Sequence, residues 1–398
     1  MSGGQGVYVH YLSRGLRDLG HEVTVVSGPP YPELDEGVDL VRLPSLDFFS
    51  RLDESLAVMR DIRSPIDLYE YVAVKGGFFP EPLTFGMRVF QYLRQHNGFD
   101  VVHDNQSLHY GLLGLQRLGY PVVATVHHPI HIDRDYALAA AGSSWSELLK
   151  LRRWYSFLGM QAFVSRRLPL LISVSESARR ESGRAFNVPT ERIHTVYNGV
   201  DAEEFCMSPQ ARRHPSRVLV VNSADTPLKG LDHLYGAIER LVCRRPVEVH
   251  IVGQPKDPER TQRELCRRGI DRHVHFLGKL DREQLVEAYS TATVAVLPSL
   301  YEGFGLPAAE AMACEAPVVA YRAGALPEVV GTDGAAGLLA PKGDQEALAH
   351  AIGTLLDDPD RAMRMGLAGR ERVVRRFNWD RTARETAALY EEAGARSR

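Results

Sequence analysis

The sequence is poor in the features that tie a protein to disulfides, membranes or nucleic acid. It has 4 cysteines (Cys206, Cys243, Cys266 and Cys314), widely spaced and without a CxxC pair. That argues against a disulfide framework and against the usual zinc patterns, and makes a reduced, cytoplasmic setting the default. No apolar run approaches the roughly 20 residues that a membrane span needs. The opening MSGGQGVYVH lacks the basic and apolar regions of a signal peptide. A formal charge of -3 gives no electrostatic case for nucleic acid. The segment SVSESARRES offers no G-x-S-x-G elbow for a serine nucleophile, and Ser175 there reads as a helix cap. No G-x-G-x-x-G follows a strand pattern, which leaves a nicotinamide-dependent oxidoreductase unsupported.

What is present is a regular alternation. At 398 residues the chain has room for two domains, and its composition, 44% hydrophobic and 24% charged, is that of a globular protein. Short β-branched runs recur between helix-period segments. They are HEVTVVS, DVVHD, PVVATVHH, LLISVSES and HTVYNG in the first half. VLVVNSA, VEVHIVG, VHFLG, ATVAVLPS and PVVAY follow in the second. Nearly continuous apolar strands read as parallel sheet covered on both faces, so each half is expected to be doubly wound α/β. The polar, strand-free EEFCMSPQARRHPS is expected to join the halves. This gives an N-terminal domain over residues 1–204, a C-terminal domain over 205–377 and a last helix over 378–398. Near the start, Val7, Tyr11, Leu12, Leu16 and Leu19 have the spacing of a core-facing helix ended by Gly20.

Ligands of open α/β sheets bind beyond the carboxyl ends of the strands, so polar residues placed there are the candidates. In SLYEGFGLPAAEAMA, a strand-to-helix loop is flanked by Glu302 and Glu310. Its glycines permit positive φ, and free amides at the helix start favour an anion. Pro307 fits the first helical position, and Glu310 the first turn. Loop amides for an anion and carboxylates for vicinal hydroxyls describe a nucleotide sugar. A solvated loop with a capping glutamate is the plainer alternative. In ATVHHPIHIDRD, His127 is the first residue past a strand. The spacing of His127, His128, His131, Asp133 and Asp135 fits no standard zinc pattern, and a histidine satisfied by backbone bonds is the other reading.

EGFGLPAAE, two glutamates with seven residues between them, resembles the signature of glycosyltransferase family 4, the retaining GT-B enzymes. The resemblance runs through GGQGVYVHYLSRGLRDLGHEVTVVS, VYNGVDAEEF and the final helix, nearly the whole chain. It implies two Rossmann-like domains facing a cleft, with the last helix crossing back to the first domain. It also implies transfer of a sugar from a nucleoside diphosphate to an acceptor hydroxyl, with no cofactor or metal. By the same resemblance Glu302 meets the donor sugar, and the amides of Phe304, Gly305 and Leu306 hold sugar or phosphate oxygens. Glu310 meets the ribose, Lys229 the diphosphate and His127 the sugar. Gly3 and Gly4 sit by the diphosphate and acceptor, and Lys279 by the base or else as a surface lysine.

Two departures stand out. Many relatives carry an arginine where this chain has Ala224, five residues before Lys229. The family begins with a strand that leads into the GG loop, and here Met1 and Ser2 stand where it ends, so the chain as given is expected to start late. Both favour a catalytically silent sugar-nucleotide-binding subunit as one alternative. A GT-B phosphorylase or a nucleotide-sugar epimerase is the other. The stretch LRRWYSFLGMQAFVSRRL reads either as a core-facing segment or as one lying on an anionic membrane, which would suit a lipid acceptor.

Overall fold

The computed structural model describes residues 3–48, 59–222 and 226–397. They fall into two compact units. Unit 1 takes Met1–Val174, Ala178–Val196 and Thr382–Arg398, and unit 2 takes Ser175–Ser177 and Tyr197–Arg381. The strand-free EEFCMSPQARRHPS therefore lies inside unit 2, and the change of unit falls at Val196 and Tyr197, ahead of residue 204. Among the described residues, no helix is long and apolar enough to cross a membrane.

Unit 1 opens with a helix over Gly3–Asp18. Its buried face is Tyr8, Tyr11, Leu12 and Leu16; Val7 is half-buried and Leu19 exposed, so the buried stripe is turned by about one residue from the expected one. Strands β1 (Val23–Ser27) and β2 (Val38–Arg42) pair in parallel. A second parallel sheet runs β3 (Val102–Asn105), β4 (Val122–Val126), β5 (Leu171–Ser173) and β6 (Ile193–Thr195) in that order. Every residue of β4 is buried, as a central parallel strand requires. Period two then divides its side chains between two layers. Val122, Ala124 and Val126 join Leu112, Leu115, Met160 and Val164 in one cluster. Val123 joins Ile172, Val196 and Ala393 in another, with Tyr390 packed against it. The helix Trp379–Ser397 thus supplies one cover of this sheet.

The segment LRRWYSFLGMQAFVSRRL breaks into the end of one helix (Trp145–Trp154), a 3-10 turn (Tyr155–Phe157) and a second helix (Leu158–Ser165). Leu158, Met160, Val164 and Leu168 are buried, which is the core-facing arrangement.

Unit 2 holds one parallel sheet of six strands: β7 (Arg217–Val221), β8 (Glu248–Val252), β9 (Val274–Gly278), β10 (Val294–Leu297), β11 (Val318–Tyr321) and β12 (Gly337–Ala340). Their order is β12-β11-β10-β7-β8-β9. This is the doubly wound pattern, in which the winding reverses between β7 and β10 and leaves a crevice at their carboxyl ends. β10 and β11 are buried throughout, while edge strand β9 is largely half-exposed.

Candidate active site

The crevice of unit 2 is built from the segments that follow β7 and β10. After β7 come Asn222, then residues 223–225, which lie outside the described residues and include Ala224, then a 3-10 turn Pro227–Lys229. Gly230 ends this turn in the left-handed region (φ 67°) and starts the helix Leu231–Val242. A Cβ at Gly230 would stand 2.0 Å from the Pro298 carbonyl oxygen, so only glycine lets the turn pack against the exit of β10. The amide of Leu300 donates to the Leu228 carbonyl at 2.7 Å and ties the same two segments together. Segments far apart in sequence are bridged in this way, and Lys229 Nζ donates to Glu302 Oε1 at 2.7 Å. Both side chains are mostly buried, 23% and 13% exposed, which strengthens the attraction over that of a surface pair.

Glu302 is held by its backbone. Its carbonyl accepts from Ala325 N at 2.9 Å, and Gly324 (φ 53°) lies so close that a Cβ there would meet the Glu302 oxygen at 2.2 Å. One residue on, the Gly303 carbonyl accepts from the Ser175 hydroxyl at 2.6 Å. Gly305 adopts φ 96° and ends the loop; the helix runs Leu306–Ala313, which puts Pro307 at its second position. Among the described residues, no acceptor takes the amides of Gly305 and Leu306, as the first amides of a helix leave them. The Phe304 ring is buried against Phe377 at 5.5 Å and anchors the loop.

Glu310 departs from its expected place. The first turn of this helix carries no acidic residue, and Glu310 sits one turn deeper, beyond the reach of the helix dipole. The Tyr289 hydroxyl, on the helix Arg282–Thr291, donates to Glu310 Oε2 at 3.1 Å. Burial pushes the Glu310 carboxyl up to about 7, against the opposing pull of Tyr289 and Arg282. Lys279 is exposed and follows edge strand β9, two strands away from β7 in the sheet. Asn222 is buried, and its Oδ1 finds no partner among the described residues, an open acceptor at the carboxyl end of β7.

In unit 1, His127 follows β4 and is buried. Its Nε2 bonds Asn105 Oδ1 at 2.6 Å, so this nitrogen carries the proton and Nδ1 is left as an acceptor. Burial, helped by the charges of His128 and His103, pushes the imidazole down to about 3. His127 is therefore neutral at physiological pH, a hydrogen-bonding group and no source of positive charge. Gln106 (φ 60°) fixes the turn, its Oε1 accepting from His127 N at 2.5 Å and its Nε2 donating to the His128 carbonyl at 2.7 Å. His128 Nε2 bonds Asp133 Oδ2 at 2.7 Å, while Asn105 and Gln106 hold His127. Gly3 and Gly4 open the first helix, and Gly4 is exposed. No group of three His, Cys, Asp or Glu with metal-binding proximity occurs among the described residues.

Sequence reasoning missed Asn105, Gln106, Tyr289 and Gly324. Asn105 had a readable signal, since it stands two residues past His103 at a strand end and so shares its face. The other three act through contacts between distant segments and left no local mark.

Residues 2–204 match the family described as Glycosyltransferase Family 4, and residues 204–372 match Glycosyl transferases group 1. The chain is 45% identical over 397 residues to the MMP alpha-(1->4)-mannosyltransferase of Mycolicibacterium hassiacum, covering 99% of this chain and 96% of that one. It is 31% identical to the D-inositol 3-phosphate glycosyltransferase of Kribbella flavida, covering 98% and 91%. Among solved structures, sucrose-phosphate synthase from Thermosynechococcus elongatus superposes with a TM-score of 0.74 at 24% identity, covering 99% and 94%.

Proposed function

The chain belongs to glycosyltransferase family 4 and is a hexosyltransferase, and we propose that it moves a hexose from a nucleoside diphosphate to an acceptor hydroxyl with retained configuration. Mannose is the first candidate for the sugar, because the relative at 45% identity is a mannosyltransferase. The observation that carries the reading is the Lys229–Glu302 pair at the crevice of unit 2, beside the open amides of Gly305 and Leu306.

The chemistry follows from those groups. A donor offers a diphosphate, which takes the Lys229 ammonium and the loop amides, and sugar hydroxyls, which take the released Glu302 carboxylate. The ribose hydroxyls take Glu310. As the bond from the anomeric carbon to the phosphate oxygen breaks, negative charge grows on that oxygen. Lys229 and the amides offset it, an effect worth a few kcal/mol where water is excluded. The acceptor hydroxyl forms the new C–O bond on the face the phosphate leaves, and its proton passes to the departing phosphate oxygen. Glu302 is paired with Lys229 and Glu310 with Tyr289, so neither is poised as the attacking carboxylate of a two-carboxylate mechanism. His127 would meet a sugar hydroxyl through Nδ1. We assign no metal to this reaction, since the ammonium and amides do the neutralising. The four free thiols suit a reducing compartment.

A panel of UDP-, GDP- and ADP-sugars, screened by thermal shift and then by transfer with NMR of the product anomer, tests the reading; rates with and without a chelator test the absence of a metal. Lys229→Ala and Glu302→Ala should each lower transfer by about 10²-fold or more while the fold survives. Undiminished turnover in both would sink the assignment. A donor that binds but is neither transferred nor hydrolysed would identify a silent subunit, and inversion at the anomeric carbon would reject retention.

A further inference from the structure

Behind His127, one face of the unit 1 sheet carries a chain of polar side chains that the transfer chemistry does not use. Thr125 on β4 and His127, just past its end, lie two residues apart and share a face; on the neighbouring β3, His103 and Asn105 do the same. The register sets His103 opposite Val123 and Asn105 opposite Thr125, so these side chains meet in two diagonal pairs. The outer one is Asn105 Oδ1 with His127 Nε2 at 2.6 Å, and the inner one is His103 Nε2 with Thr125 Oγ1 at 2.7 Å. The inner pair is extended at both ends. His103 Nδ1 bonds the Tyr390 hydroxyl of the last helix at 2.6 Å, and Thr125 Oγ1 bonds the Tyr8 hydroxyl of the first helix at 3.0 Å. The Tyr8 ring then stands edge-on to His127, with centroids 4.7 Å apart and planes at 85°.

Burial pushes His103 down to about 4, so its ring is neutral and carries a single N–H. Of its two bonds one must be donated and the other accepted. Both partners are hydroxyls, so whichever role Tyr390 takes at the ring Thr125 takes the opposite one, and the proton arrangement at Thr125 and Tyr8 is coupled to Tyr390.

We propose that Tyr390 is a positioning residue for His127, acting through His103, Thr125 and the ring of Tyr8. The proposal rests on the reading of His127 as a sugar-contacting residue. The last helix would then do more than cover the sheet, since it would fix the orientation of a group at the strand ends.

Tyr390→Phe keeps the ring and its packing and removes only the hydroxyl. With Thr125→Val, which cuts the chain in its middle, it should lower kcat about tenfold while the donor KM stays within about twofold, the loss expected of a misplaced group. Thr125→Ser keeps the hydroxyl and should retain wild-type kcat; this pair decides the matter if Tyr390→Phe does not fold. Wild-type kcat in both Tyr390→Phe and Thr125→Val would overturn the proposal, as would an equal loss in Thr125→Ser. A substrate-free readout separates this from the transfer reading. In histidine-labelled protein, Tyr390→Phe should shift the ring nitrogen resonances of His103 and the ring proton resonances of His127. If the wild type transfers no sugar from any donor, the transfer reading falls, and unmoved His127 resonances would still overturn the positioning role.

Discussion

Replacing Gly324 by alanine isolates what the backbone clamp on Glu302 contributes. A Cβ at Gly324 would lie 2.2 Å from the Glu302 carbonyl oxygen and 2.7 Å from its amide nitrogen. Real Cβ atoms essentially never come closer than 3.0 Å, so the two segments must part by about 0.8 Å or more. An alanine at φ 53° also carries about 1–2 kcal/mol of steric strain. Parting the segments stretches the Ala325 N to Glu302 O bond, now 2.9 Å, at a further cost of about 1 kcal/mol. A displacement near 1 Å at a group that orients substrate is worth about 10²-fold in rate. We therefore expect Gly324→Ala to melt several degrees lower and to lose about two orders of magnitude in kcat. Gly334→Ala is the control. Gly334 has φ 77°, the same kind of strain, but nothing lies within 4 Å of the place its Cβ would take. It should lower Tm modestly and leave kcat within about twofold. Initial rates at saturating donor, with circular dichroism melts on both variants, make the comparison. Equal kcat losses at the two positions would refute the clamp, because strain alone would then account for them.

Glu310 supplies a pH dependence with a definite sign. Its folded value, about 7, lies above the ordinary 4.5, so its contribution is fully present below about pH 4.5 and is lost as pH rises through about 7. Glu310→Gln should thus gain Tm relative to wild type between about pH 5 and 8, and a difference that stays flat across the range would contradict the shift. Donor KM should rise as pH falls below about 7, and because the Tyr289 bond lowers the carboxyl, Tyr289→Phe should move that limb upward. His127, held near 3, should show no titration of its ring proton by NMR between about pH 5 and 8; an inflection in that window would mean the ring is not buried as described. Gly230→Ala, whose Cβ would stand 2.0 Å from Pro298 O, should break the Lys229–Glu302 pair and lower both Tm and transfer, and unchanged kinetics would remove the packing argument.

Strands rich in β-branched residues were legible because burial on both faces leaves a continuous apolar run, as in VVATV and VAVL. β2 (VDLVR) and β12 (GLLA) escaped for opposite reasons. The first alternates and carries an aspartate, and the second is short and lacks any β-branched residue. The helix after the glycine loop was legible in kind but not in phase, since Pro307 fits either of the first two positions. That small slip matters for Glu310, whose role changes from a residue of the first turn to a buried acid facing Tyr289.

The spacing of Glu302, the glycine loop and Glu310 is local, so sequence alone established the family signature and the expectation of a nucleotide-sugar site. Strand periodicity likewise established α/β architecture and placed His127 just past a strand end. Tertiary structure decided which of these groups meet. Lys229 reaches Glu302 because a glycine of the β7 exit fits against the β10 exit, where the winding of the sheet reverses. His127 is neutral because neighbours from another strand and from the first helix enclose it. Proximity across 73 residues, and the loss of water around a side chain, are properties of packing, and no local pattern encodes them.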